Sequence, residues 1–314
     1  MATQPSPARP SLSLVDLGSL LYLGAVWGAA FLFFRIAAPQ VGAVWAAEIR
    51  LAIGAAVLLA VAGPRTFAAM RGRVTSFVIL GALFAAVPFT LISFATVTLH
   101  AGFTSLLAAA TPLFTAAIGV AFLGHRVTAR MAAGLAVGVL AVVVLVGWSP
   151  LEPGITTLLA VAAGLGAPAA YAVAGNYVRA RMSDVQPMEL ATGMLTTGAL
   201  VVLPVALLTG MPGAPQVDGL IALIAVGTIS TAFAWPVFFR VLRRTTAVAA
   251  STVTFIVPAF GVVWSAILLA EPVGAGLVAG FGLILLSLSL VLGIVPAVRI
   301  PRIGRPTSEH PSVA

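Results

Sequence analysis

One phrase is written twice along this chain, as SLLAAATPLFTAAIGVAFLGHRV from Ser105 and as STVTFIVPAFGVVWSAILLAEPV from Ser251. The copies stand 146 positions apart, and the same offset aligns Gly81 with Gly227, Ala86 with Ala232, Ala101 with Ala247, Pro112 with Pro258, Phe114 with Phe260 and Gly134 with Gly280. A duplication of this length requires a fold that accepts two similar halves. Both copies are apolar enough to lie in lipid, where paired halves commonly enclose a central solute site.

The solvent follows from composition. With 61% hydrophobic and 8% charged residues and a mean hydropathy of +1.15, the chain lies far from soluble domains, about 25% of whose residues are charged. Runs of the ~20 apolar residues needed to cross hydrocarbon are expected at Leu17–Ala37, Ala43–Ala62, Ser76–Thr96, Phe103–Leu123, Arg130–Trp148, Ile155–Val178, Met188–Leu208, Gly219–Phe239, Ala247–Leu269 and Gly274–Val295. The fold class is therefore an all-α integral membrane protein of ten transmembrane helices.

Arginine placement orients them. Every basic residue is Arg, and all except Arg35 and Arg50 fall before the first run, in every second loop, or after the last. Cytoplasmic loops retain such residues, so both termini are expected in the cytoplasm and the protein in the cell (inner) membrane. Five spans per half then force the second half to enter upside down. The organisation expected is a tail over 1–15, a first repeat over 16–148, a second over 155–296, and a tail over 297–314, joined by SPLEPG at 149–154. Arg35 and Arg50, read as near the outer ends of the first two spans, are expected to snorkel outward.

The pI near 11.5 is explained by this topology. The arginines are scattered in twos and threes without interleaved aromatics, which argues against nucleic acid as a partner. No cysteine is present, so thiol chemistry and Cys-ligated metal are excluded. Paired intramembrane Asp and HExxH are also absent, and His100, His125 and His310 fall outside the expected spans. No catalytic, cofactor or metal residues are assigned. A channel would need a polar ring at a constriction, and none is visible.

The stretches WGAAFLFFRIA from Trp27 and AEIRLAIGAAVLL from Ala47, with the two phrases ending at His125 and Glu271, resemble the paired EamA modules of the drug/metabolite transporter superfamily. The resemblance covers nearly all of the chain outside its tails. It implies two inverted five-helix modules around a central cavity and a metabolite exporter or exchanger. The family phrase usually ends in Gly-Glu, whereas the first copy here ends in Gly124-His125, so a symmetric pair of carboxylates is not expected.

Pro112 and Pro258 fall mid-span in both copies, where each frees a backbone carbonyl that needs a partner in lipid. Ser105 and Thr111 precede one, Ser251 and Thr254 the other. These six are expected to line a polar cavity, the alternative being kinks healed by neighbouring hydroxyls. Glu48 and Arg50 are charges inside a span, about 200° apart around a helix, so each needs its own partner. Arg35 or a proton is a candidate for Glu48, and a substrate carboxylate or the outer headgroups for Arg50. Glu271 is read as a cap or an interhelical contact. Trp27, Tyr171, Asn176 and Trp264 are candidates for a wall that stacks on an amphipathic solute.

The small multidrug relatives within the superfamily that this chain resembles use a mid-membrane Glu of the first helix for proton exchange. No acid lies within the first or sixth run here, so the resemblance disfavours proton-driven export of organic cations. A small neutral or zwitterionic metabolite such as an amino acid suits the weakly charged interior, with drug efflux or import as alternatives. The glycine pairs Gly24/Gly28, Gly134/Gly138 and Gly276/Gly280 are expected to bring helices close, either within the bundle or in a homodimer through the fifth and tenth spans. The partners expected are a small-molecule solute and the lipid bilayer.

Overall fold

The computed structural model describes residues 14–62, 64–123, 128–148, 152, 154–244 and 253–292. All regular structure among them is helical. In chain order the helices are α1 (Leu14–Val41), α2 (Ala43–Val61), α3 (Pro64–Arg71), α4 (Val74–Thr98), α5 (Ala101–Ala108), α6 (Thr111–Leu123), α7 (Ala129–Gly147), α8 (Ile155–Arg181) and α9 (Pro187–Thr209). Helix α10 joins Val217–Gly227 to Ala234–Arg244 through a π turn, and α11 (Val253–Leu269) and α12 (Ala275–Leu292) follow.

Among the described residues, eight helical runs are long and apolar enough to cross a membrane: α1, α2, α4, the α5–α6 run, α7, α8, α9 and α10. Two shorter apolar helices, Phe255–Leu269 and Ala275–Val291, stand where the last two expected spans were read. The expected fourth span is not continuous, since α5 ends at Ala108 and α6 restarts at Thr111. Helix α3 was not expected. Its eight residues carry Arg65 and Arg71, and its low apolar content hid it in what read as a loop.

Local chemistry sets several helix ends. The Thr128 hydroxyl accepts the Met131 amide at 3.2 Å to cap α7. A capping box between Gln186 and Glu189, with Pro187 at the first turn, starts α9. Gly42, at φ +83°, turns the chain between α1 and α2, a conformation open to glycine at little cost.

Several helix contacts between the two chain halves recur when the halves are exchanged, whereas the packing of α1 on α4 within the first half has no such counterpart of α8 on α10 among the described residues. Helix α2 lies on α9 and α7 on α12. The contact of α4 with α8 has its counterpart in α1 with α10, that of α4 with α9 in α10 with α2, and that of α1 with α11 in α8 with α5 and α6. Large apolar side chains remain on the outside, among them Leu140, Leu158, Leu200, Leu208, Ile221 and Ile267. A water-exposed surface rarely tolerates so many, whereas lipid does.

Glycines set the closest approaches. A Cβ on Gly28 would stand 2.8 Å from the Gly261 amide nitrogen and 2.9 Å from the Val257 carbonyl, both on α11. Gly134 meets the Val291 backbone of α12, and Gly280 meets Leu145 of α7. The glycine faces of α7 and α12 are thus spent on each other. Beyond the spans, Arg73 reaches Asp184 with two hydrogen bonds of 2.8 and 2.6 Å, linking the turns that precede α4 and α9. This bidentate contact, chiefly its hydrogen bonds, holds the Asp184 carboxyl below its ordinary range.

Two outcomes are expected. Gly28→Ala drives a methyl into backbone that cannot move aside and costs about 1–3 kcal/mol, read as a lower melting temperature and a smaller monodisperse fraction. Gly18→Ala, with nothing within 4 Å of its Cβ, changes neither. For the exposed Arg73–Asp184 pair, Asp184→Asn shifts the melting temperature little. Because the folded carboxyl titrates below its unfolded value, what the pair contributes is present above the ordinary Asp range and disappears as pH falls through the lowered value. Melting curves of both proteins should converge in acid.

Candidate functional site

Two π turns shape the centre of the bundle. One covers Ala82–Ala86 in α4 and the other Thr228–Phe233 in α10, and their first residues stand 146 positions apart, the offset of the duplicated phrase. Each begins after a tightly packed glycine, Gly81 against α9 and Gly227 against Ile53 and the Arg50 carbonyl of α2. Pro88 and Pro236 follow shortly after. Proline lacks the N–H of the helical ladder and crowds the carbonyl four residues back, and a widened turn relieves that conflict.

In α10 side chains satisfy the irregular backbone. Thr231 Oγ1 donates to the Val226 carbonyl at 2.6 Å, five residues back, and Thr228 Oγ1 to Ile224 at 2.7 Å. Three further bonds tie the turn to α1: Ser230 Oγ donates to the Val26 carbonyl at 2.6 Å, Trp27 Nε1 donates to the Ser230 carbonyl at 3.1 Å, and the Tyr22 hydroxyl donates to the Ile229 carbonyl at 3.4 Å.

Arg50 projects into this turn. It lies two residues from the centre of the 19-residue α2 and is only 4% exposed. Its Nε donates to Thr231 Oγ1 at 2.7 Å, and its guanidinium carbon sits 3.6 Å from the Phe89 ring centroid and 5.2 Å from that of Phe34. Snorkelling is thus corrected: Arg50 stands about 10 Å along the axis from the start of α2, and it turns into the aromatic interior.

A continuous aromatic group adjoins the arginine. Trp235 contacts Trp27 at 5.0 Å, Phe84 at 5.1 Å, Phe238 at 5.6 Å and Phe89 at 6.4 Å between centroids, and Phe84 continues to Tyr171 at 5.6 Å. Helices α1, α2, α4, α8 and α10 all contribute. The Trp235 indole nitrogen is buried without a hydrogen-bond partner among the described residues.

Of the residues expected at a site, Trp27, Arg50 and Tyr171 come together here. Trp264 does not join them; it stacks on Phe260 and donates to the Ala25 carbonyl at 3.0 Å, in the seam of α1 and α11. Asn176 bonds the Ala172 carbonyl and Arg179. Ser105 is buried against Gly261 and donates to the Gly102 carbonyl at 2.7 Å. Pro112 sits at the second position of α6, after a break, so it does not kink a continuous helix. The Ala108 carbonyl, which its missing N–H leaves free, is taken by Thr111 Oγ1 at 2.9 Å. Pro258 stands inside the unbroken α11. Ser251 lies outside the described residues, and of Thr254 only the backbone is described.

Glu48 is 5% exposed and its Oε2 has no hydrogen-bond partner among the described residues. It does not pair with Arg35, which instead meets Glu271 at 3.5 Å and donates to the Thr96 and Val97 carbonyls. Glu271 also accepts the Ala101 and Gly102 amides, at 3.1 and 3.4 Å. It therefore caps α5 and holds α1 at once, favoured by the positive end of the α5 dipole.

Sequence reasoning passed over Ser230, Thr231, Phe84, Phe89, Phe34 and Trp235 as site residues. The hydroxyl run of TISTAF after Gly227 was the available signal, a polar interruption of an otherwise apolar span.

Known proteins share this architecture. A solved crystal structure superposes at a TM-score of 0.65 over 94% of this chain and 100% of its own, at 16% identity, a likeness of fold. A protein of Archaeoglobus fulgidus described as an uncharacterized transporter is 24% identical over 196 residues, 62% of this chain and 68% of its own. The profile of the EamA-like transporter family matches residues 17–147 and again 158–293. The chain, a multi-pass membrane protein, belongs to the EamA-like transporter family.

Proposed function

We propose that this membrane transporter is a secondary-active carrier that exports a small neutral or zwitterionic metabolite, an amino acid being the best fit. In this reading ten helices form two inverted five-helix repeats, over 16–148 and 155–296, in the inner membrane with both termini cytoplasmic. One observation carries it: the aromatic and Arg50 cluster is built by α1, α2 and α4 from one half and by α8 and α10 from the other. Rocking one half against the other alters the walls of such a site from both sides, which is what alternating access requires.

The two π turns, at matched positions in the halves, give each half a helix that can change pitch without breaking, and in α10 hydroxyls already serve the irregular carbonyls. The interior favours solutes of low net charge, because an unpaired charge at this depth costs about 2.5–3.5 kcal/mol on insertion scales. A homodimer would use the outward faces of α7 and α12, where Val139, Val143 and Val278 are exposed.

Efflux tests the activity. Cells expressing the chain should release at least one amino acid or related metabolite faster than cells without it, and Trp27→Ala should remove most of the excess while the amount in the membrane stays above about half. An unchanged profile of extracellular metabolites refutes export. Topology is tested separately with reporters at the amino terminus and within 149–154, which should report opposite faces; the same face for both would refute the inverted arrangement.

A further inference from the structure

Among the described residues, Arg50 is a buried cation without a counter-ion. No carboxylate lies within ion-pair distance of it among the described residues, where the ion pairs formed are Arg35–Glu271 and Arg73–Asp184. Its Nε is committed to Thr231, and its two terminal nitrogens have no acceptor among the described residues. The faces of Phe89 and Phe34 stabilise the charge in part, yet they leave the donor fork unused. A guanidinium is not deprotonated in proteins and presents its N–H groups in a plane that matches a carboxylate.

A second unused donor belongs to the same cluster. The Trp235 ring lies 6.4 Å from Phe89, the ring on which Arg50 rests, and its buried Nε1 also lacks an acceptor among the described residues. Buried N–H groups are rarely left unpaired. The free side of the Arg50 guanidinium and the unpaired Trp235 N–H, beside a set of aromatic rings, make a cluster short of an acceptor.

We infer that Arg50 and Trp235 bind the carboxylate of the transported solute, with Phe84, Trp27 and Tyr171 covering its apolar part. The inference rests on the carrier reading above and narrows its substrate class to zwitterionic amino acids bearing an apolar side chain. Thr231 is a positioning residue. Its hydroxyl donates to Val226 and accepts from Arg50 Nε, so the π turn fixes the direction in which the free side of the guanidinium points.

The test uses the purified full chain in lipid nanodiscs and calorimetric titration with matched probes, L-phenylalanine against L-phenylalaninamide. The acid should bind at least about tenfold more tightly than its amide, the scale of hydrogen bonds to a charged group. Arg50→Gln should bring acid and amide to within about twofold, and Arg50→Lys, which keeps the charge and loses the fork, should restore only part of the preference. Trp235→Phe keeps the ring and removes the N–H, and should weaken the acid severalfold with the amide unchanged. Should Arg50→Gln fail to fold, Trp235→Phe and Thr231→Val decide, each expected to lower the acid preference. Equal binding of acid and amide by the unaltered chain, no binding of the acid, or an acid preference that survives these substitutions overturns the inference. Efflux from cells with no acid preference in the titration removes this site and leaves the carrier; acid-selective binding without any efflux removes the carrier and leaves the site.

Discussion

Inside hydrocarbon no water is available to meet a bared carbonyl or amide, so every irregularity in a helix must find its partner within the protein. Much of the centre of this molecule answers that constraint. The α10 π turn exposes carbonyls that Thr228 and Thr231 cover from their own helix, and the Ser230 carbonyl is reached by Trp27 from α1. The same hydroxyl that heals the turn also receives Arg50. Backbone repair and side-chain placement are one network, and that network joins the two halves of the chain.

Close helix approach depends on the complementary property, the absence of a side chain. Gly28 lets α1 meet the backbone of α11, Gly81 and Gly227 let the helices carrying the π turns lie against α9 and α2, and Gly134 and Gly280 join α7 to α12. Without a hydrophobic force between helices in lipid, contact area of this kind supplies much of the association. It also explains the rigid frame around a charged centre, because the aromatic rings that hold Arg50 come from helices whose spacing the glycines set.

Legibility in the sequence differed from element to element. Apolar runs located α2 to within one residue and α9 to within two, since composition alone marks residence in lipid. It missed α3, which is short and polar, and it missed the break at 109–110, because Ala109 and Ala110 are as apolar as the helices they separate. Arg50 was placed too shallow. Its neighbours along the chain show depth only roughly, whereas the rings that shelter it, Phe34 and Phe89, are 16 and 39 residues away in other helices. The proton or headgroup partners weighed for Glu48 and Arg50 were local alternatives, and Arg35 was drawn off by Glu271 from the far end of the chain.

Sequence by itself determined the solvent, the helical class and the two matched phrases, because each depends on composition or on comparison of the chain with itself. It also marked Trp27, Arg50 and Tyr171 as worth watching, since polar and aromatic groups are scarce in such a chain. Which of those groups meet was decided only by the tertiary structure. Trp264 went to the α1–α11 seam and Trp235 to the centre, although both are tryptophans of apolar helices. The difference lies in helix rotation and crossing, which follow from glycine contacts and π turns between segments distant in sequence, and no local pattern encodes them.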